Sequence, residues 1–239
     1  MGPTVFAIDT SGERCCLVLS RGSKVTTLLG AAGHNHLEQV MPMIERLFEG
    51  AGLRPEQCDA FAFGSGPGSF TGLRVACTIV QGLAWASARP VIAVGHLQLL
   101  ARAAAPQDAP GPGPRRRILA LADARMHQAY WAVYDRSEHG WSEAAPPSLC
   151  QASALAQLVR VWQPDCCAGN AAWIGGHLGG DGPPVCDVTV QGGVIAQLVQ
   201  EKFGRGEFMQ PEQALPAYVR ERVALTISER RSASLGPRL

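Results

Sequence analysis

Charge is scarce in this chain. Only 17% of its 239 residues are Asp, Glu, Lys or Arg, and the net charge is +1, against a usual charged share of about 25%. A balance so near neutral gives no long-range pull toward nucleic acid or a membrane. It also suggests surface hidden against another chain, although 27 glycines and many alanines account for part of the shortfall. Paired-cysteine spacing is absent. Eight cysteines occur, none as Cys-x-x-Cys, so zinc and thioredoxin chemistry lose their usual support. They sit mostly in apolar runs, as small core residues of a reducing compartment do, and a cytoplasmic location is expected. The opening Met1-Gly2-Pro3-Thr4-Val5-Phe6 has no basic region before an apolar one, so no secretory signal is expected. The longest uncharged helical stretch, Val75 to Ala88, is 14 residues, short of the ~20 that span a bilayer. No His-Glu-x-x-His and no Ser/His/Asp order supports a peptidase.

What the chain has is glycine, concentrated in one place. Phe61 to Gly64 is a short apolar run; Gly64, Gly66, Gly68 and Gly72 follow, with Pro67 among them, and a helical pattern begins near Thr71 to Leu73. Strand, glycine loop and helix together are an arrangement that can aim backbone N–H groups at an anion. The spacing matches neither the Walker loop nor the dinucleotide fingerprint. A tight turn and a phosphate cradle both remain open for Gly64–Gly72.

Three short strands precede this stretch: Val5 to Asp9, Cys15 to Ser20 and Val25 to Leu29. Asp9 ends the first at the sheet's carboxyl edge, where ligands of open sheets tend to sit; a turn acceptor is the plainer role. Leu37, Val40, Met41, Ile44, Leu47 and Phe48 then form an amphipathic helical stripe, with Pro42 expected to kink it. His34 and His36 stand at i, i+2 and share no helix face, so a metal pair is not expected. Leu73 to Ser87 is apolar nearly all round, with a row of small residues at Thr78, Gly82 and Ala86 that lets another helix come close. Val91 to Val94 reads as a strand and His96 to Ala104 as a helix.

Ala105 to Pro114 is rich in Pro and Gly and reads as the linker between two halves, 1–104 and 115–227. The second half restarts as the first did: strand Ile118 to Asp123, an acidic turn at Ala124-Arg125, and strand Ala129 to Tyr134. Helices are expected over Ser153 to Val161 and Gly193 to Phe203, and a flexible polar tail over 228–239.

These residues carry a resemblance. Ala7-Ile8-Asp9-Thr10-Ser11, the His36 helix with Met41-Pro42, Gly64-Ser65-Gly66-Pro67-Gly68-Ser69-Phe70-Thr71-Gly72-Leu73-Arg74, Gln81-Gly82-Leu83-Ala84, Asp123-Ala124-Arg125-Met126 and Tyr218-Val219-Arg220 together resemble the bacterial TsaB (YeaZ) family. The resemblance implies an α/β, two-domain actin-like ATPase (ribonuclease H-like) fold, with a mixed sheet and helices in each half. It implies a non-catalytic role in forming threonylcarbamoyladenosine in tRNA, beside a TsaD-like catalytic subunit and a TsaE-like ATPase, with tRNA reached through the complex and no cofactor of its own. The implied pairing surface is Leu37, Val40, Met41 and Ile44 on one helix and Val75, Ile79, Gly82, Leu83 and Ala86 on the other. Pairing with a second copy of the chain stays open. Asp9, Ser11, Gly66 and Gly68 are the candidates for a vestigial nucleotide site. The catalytic relative holds its metal with His-x-x-x-His; here the aligned run is His36-Leu37-Glu38-Gln39-Val40, without the second histidine. The competing reading is an actin-like ATPase or small-molecule kinase that uses Asp9 and the Gly64–Gly72 loop.

Overall fold

The computed structural model describes residues 2–31, 36–105, 116–138, 140–178 and 182–220, without the side chains of residues 36 and 37. Most of the expected linker, the expected tail, His34 and the side chain of Leu37 therefore lie outside the described residues.

The first sheet holds β1 (Thr4–Asp9), β2 (Cys16–Arg21), β3 (Lys24–Leu29), β4 (Ala60–Gly66) and β5 (Val91–Gly95) in the order β3-β2-β1-β4-β5. β1, β2 and β3 pair antiparallel, whereas β1, β4 and β5 pair parallel. Helix α1 (His36–Ala51) joins β3 to β4, α2 (Phe70–Ala86) joins β4 to β5, and α3 (His96–Ala104) follows β5. The second sheet repeats the plan. It has β6 (Arg116–Asp123), β7 (Gln128–Ser137), β8 (Gly140–Gln151), β9 (Cys166–Gly169) and β10 (Val185–Asp187) in the order β8-β7-β6-β9-β10. Its helices are α4 (Leu155–Trp162), α5 (Ala171–Leu178) and α6 (Gly192–Gly204), at the matching places.

β1 is buried at every position because it is the central strand with helices over both faces. Its side chains alternate between two cores. Phe6 and Ile8 meet Val40, Ile44, Leu47 and Phe48 of α1 and Ala76 and Val80 of α2. Val5 and Ala7 meet Val194, Ile195, Leu198 and Val199 of α6. Val40 and Ile44 are thus only 0% and 5% exposed. This corrects the expectation that they face a partner: Val40, Ile44, Leu47 and Phe48 of the α1 stripe pack on its own sheet, while Met41 stays exposed. Helix α1 also runs unbroken through Pro42.

The last helix of each half crosses to the other sheet. Leu97, Leu100 and Ala101 of α3 pack on Ile118, Ala120, Ala132 and Cys166 of the second sheet, while α6 covers the first. Division by chain order into 1–104 and 115–227 therefore differs from division by packing. Between the two helices, buried Arg102 makes a two-pronged bond to Glu201 at 2.9 and 2.8 Å. Gln200 Nε2 donates to the Pro3 carbonyl and Ser20 Oγ, tying α6 to β1 and β2.

Two strands go beyond the sequence reading. β8 carries Pro146 and Pro147, which argue against a strand, yet it is an edge strand whose missing N–H groups cost little, and its pairing with β7 slips near Trp131 to Tyr134. β10 is three residues long.

Each buried aliphatic side chain of α6 stabilises the first sheet by roughly 1.5–3 kcal/mol. A fragment ending at Ala104 uncovers Val5, Ala7, Cys16 and Val18. It should show no cooperative thermal transition by circular dichroism and should bind a hydrophobic dye. A sharp melt like that of the whole chain would contradict the crossed-helix packing.

Candidate functional site

The carboxyl ends of the two sheets face a cleft of about 730 Å³. Each sheet contributes an aspartate turn of the same design. Asp9 ends β1, and its Oδ1 accepts the Ser11 N–H at 2.7 Å. Asp123 ends β6, and its Oδ1 accepts the Arg125 N–H at 2.7 Å. The echo seen in the sequence is a structural repeat.

Asp9 is 2% exposed. Burial alone would raise its carboxyl pKa; the imidazole of His96, whose Nδ1 lies 3.6 Å from Oδ2, and the Ser11 N–H outweigh it and hold the pKa below its ordinary value. Asp9 Oδ2, Ser11 Oγ and His96 Nδ1 are sealed from solvent and make no hydrogen bond within ordinary distances. They form a buried polar cluster on the wall of the cleft, where β1 meets the start of α3. Asp9, Ser11 and Gly68 border the cleft, but Gly66 is not among its lining residues. Gly66 has a positive φ of 107°, and a Cβ on it would stand 3.0 Å from Leu73 Cδ1.

The actin-like fold implies a nucleotide, so the glycine loop was the sequence's strongest phosphate candidate. Its residues do not fit that group. A methyl on Gly72 would overlap the Thr10 carbonyl, and one on Gly68 would overlap the Ser11 carbonyl. One on Gly64 would lie 2.7 Å from Asp9 Cγ. The glycines make room for the β1–β2 turn of the same chain. Three donors of the loop and the helix start are used as well: Ser69 N–H bonds the Ser11 carbonyl at 2.9 Å, Leu73 N–H the Ser69 carbonyl at 2.8 Å, and Gly72 N–H the Ser69 hydroxyl at 3.2 Å. Thr10 Oγ1 closes the contact by donating to the Gly72 carbonyl at 2.6 Å. Ser69 is therefore the N-cap that starts α2.

The facing turn is no better suited to phosphate. Arg125, Met126 and His127 stand in succession at φ 63°, 53° and 55°, and the Arg125 side chain lies back on Asp123 Oδ2 at 3.3 Å. The segment after α6 crosses the cleft mouth, which Ala217, Tyr218, Val219 and Arg220 help to line. Tyr218 OH accepts from Arg74 Nε at 3.0 Å, and Arg74 sits 4.0 Å over the Phe70 ring. Among the described residues, no group of three or more His, Cys, Asp or Glu could hold a metal ion.

The other candidate surface is the outer face of α2. Thr78, Gly82 and Ala86 are exposed in one row, while Val75, Ile79 and Leu83 are half-buried with their inner sides on the core. Met41 of α1 is 49% exposed. Six of the expected pairing residues thus keep free surface: Met41, Val75, Ile79, Gly82, Leu83 and Ala86. Trp85, 68% exposed on the same side, was not anticipated. Its place seven residues after Thr78 was the available signal, masked because a helix apolar all round reads as core.

Two outcomes follow from this geometry. Gly72→Ala should cost about 1–3 kcal/mol in urea denaturation through overpacking, whereas Gly82→Ala, with nothing within 4 Å of the new carbon, should gain up to about 1 kcal/mol from helix propensity. Similar effects at both would contradict the backbone contact at Gly72. Asp9, with its folded pKa below the ordinary 3.8, contributes stability that is whole above that value and fades as pH falls through the folded one. Acid titration of Asp9→Asn by circular dichroism should therefore show a shallower acid limb than the wild type; an unchanged limb would contradict this.

The chain has close relatives. Residues 30–172 match the family described as TsaD: tRNA N6-adenosine threonylcarbamoyltransferase. Over 230 residues the chain is 30% identical to the tRNA threonylcarbamoyladenosine biosynthesis protein TsaB of Escherichia coli strain K12, covering 92% of this chain and 96% of that one. The TsaB of Haemophilus influenzae is 36% identical over 155 residues, 62% of this chain and 64% of that one. The solved structure of YeaZ from Pseudomonas aeruginosa is 31% identical and superposes with a TM-score of 0.78, over 91% of this chain and 100% of that one. With two α/β halves of the actin-like, ribonuclease H-like plan and this similarity along nearly its whole length, the chain belongs to the TsaB (YeaZ) family.

Proposed function

We propose that this chain is a non-catalytic subunit in forming the threonylcarbamoyl group on the adenosine next to the anticodon of tRNAs that read codons beginning with A. It works by pairing with a TsaD-like transferase, joined by a TsaE-like ATPase, and reaches tRNA through that assembly. The names of its relatives carry the modification itself. The observation that supports a non-catalytic role is the packing of the glycine loop on the chain's own turn: Gly64, Gly68 and Gly72 abut that turn and the Ser69 amide bonds the Ser11 carbonyl, so the space and that donor are taken by the chain itself. The position aligned with the second metal histidine of the catalytic relative is Val40, fully buried in the first-sheet core. An ATPase or kinase using Asp9 would need that carboxylate free for a metal or water, and here its Oδ1 accepts the Ser11 N–H while its Oδ2 lies 3.6 Å from His96 Nδ1.

The α2 face supports the pairing. Small residues at Thr78, Gly82 and Ala86 let another helix approach, and Met41, Val75 and Trp85 supply apolar area beside them. Gly82 is the best place to test it, because a side chain there meets nothing in its own chain. Gly82→Glu should leave the circular dichroism spectrum and melting temperature near those of the wild type. It should abolish co-elution with the TsaD-like protein on size exclusion and lower tRNA modification at least about tenfold, in a reaction supplied with both partners, tRNA and threonylcarbamoyl-adenylate. Full transfer without this chain, or unchanged pairing by the variant, would refute the reading.

A further inference from the structure

We propose that residues 211–220 form a strap that holds the cleft at one opening, with Arg220 as its latch. The two halves are joined at the base of the cleft by the crossed helices α3 and α6. An actin-like plan built on two such halves can open at the mouth unless something spans it. The strap does. It leaves α6, pairs with β5 where Met209 and Val91 exchange both backbone bonds at 2.9 Å, and runs along α2. There Gln81 Nε2 donates to the Pro211 and Ala214 carbonyls at 3.2 and 2.9 Å, and Cys77 Sγ to the Ala214 carbonyl at 3.2 Å. Ala217 N–H then bonds the Ser65 carbonyl at 2.7 Å beside the glycine loop. Up to this point every contact belongs to the first sheet and its helices.

Arg220 makes the crossing. Its Nη2 donates to the Ala124 carbonyl at 2.8 Å and to Gln128 Oε1 at 2.6 Å, and its Nη1 lies 3.5 Å from Met126 Sδ. Among the described residues, the strap's hydrogen bonds to the second sheet all come from this one side chain. The turn it grips is the strained one, with three consecutive non-glycine residues in the left-handed region. Such a turn persists only where its surroundings overdetermine it. Here the turn's own bonds (Ala124 N–H to the Gln128 carbonyl and Gln128 N–H to the Arg125 carbonyl, both at 3.0 Å), the Ala152 N–H on the His127 carbonyl at 2.8 Å and the Asp123 bond hold it from the second half, and Arg220 holds it from across the cleft. Gripping the turn fixes both the turn and the width of the mouth. Because the same strap is fastened to Arg74, Cys77 and Gln81, α2 and the turn at 124–128 are parts of one mechanical unit. The latch itself does not depend on the pairing role of α2.

Hydrogen–deuterium exchange of the whole protein tests it. In Arg220→Ala, amides of 124–128 should exchange at least about tenfold faster, while β1 and β6 keep their protection. Gln128→Ala, which removes only an acceptor on the far side, should accelerate the same amides in the same place by a smaller factor. Should Arg220→Ala fail to fold, Gln128→Ala alone carries the test. Wild-type exchange at 124–128 in the folded variants overturns the latch. Acceleration spread evenly over both sheets also overturns it, since the strap would then be ordinary core.

Discussion

The contact between Gly72 and the Thr10 carbonyl organises much of this molecule. It can form only because position 72 has no side chain, and it brings the glycine loop into backbone-to-backbone packing with the β1–β2 turn. Three consequences follow from it. The Ser69 N–H is taken by Ser11, and the Ser69 hydroxyl caps α2, which fixes where that helix starts and which face it turns outward. Asp9 is buried beside His96, 3.6 Å from its Nδ1, at the same turn. And three amides there, those of Ser69, Gly72 and Leu73, are bonded within the chain itself. One steric fact thus both builds the α2 surface and removes the chemistry a glycine loop would otherwise suggest.

The second organising constraint is the exchange of helices between the halves. A sheet with helices on both faces needs more cover than the two helices between its own strands provide. Here the third helix comes from the other half in each case, and the Arg102–Glu201 pair joins the two where they meet. The result is a duplicated plan whose halves are not independent bodies.

Much of this was legible in the chain. The strand–Asp–turn–strand pattern at Val5–Ser20 and again at Ile118–Tyr134 announced a duplication, and both aspartates make the same turn. Periodicity gave α3 its observed bounds and β5 to within a residue, whereas α2 begins at Phe70, ahead of the expected Thr71 to Leu73, because Ser69 caps it. Other features were hidden for physical reasons. β8 contains two prolines that only an edge position tolerates, and edge position is a property of topology. Val40 and Ile44 sit on a stripe wide enough for two contacts, and nothing in the spacing says which side the sheet takes. The glycines looked alike in sequence, yet Gly72 abuts backbone and Gly82 abuts nothing, which only the packing reveals. Tyr218-Val219-Arg220 stood out as a motif without a visible role, because its partners lie more than ninety residues away.

The central claim is that the glycine loop is packed against the chain's own β1–β2 turn and not shaped for a nucleotide. Isothermal titration of the isolated protein with Mg-ATP tests it most directly. No saturable heat up to about 1 mM ligand is the predicted result. Magnesium-dependent binding with a dissociation constant near or below about 10 μM, lost on Asp9→Ala, would contradict it.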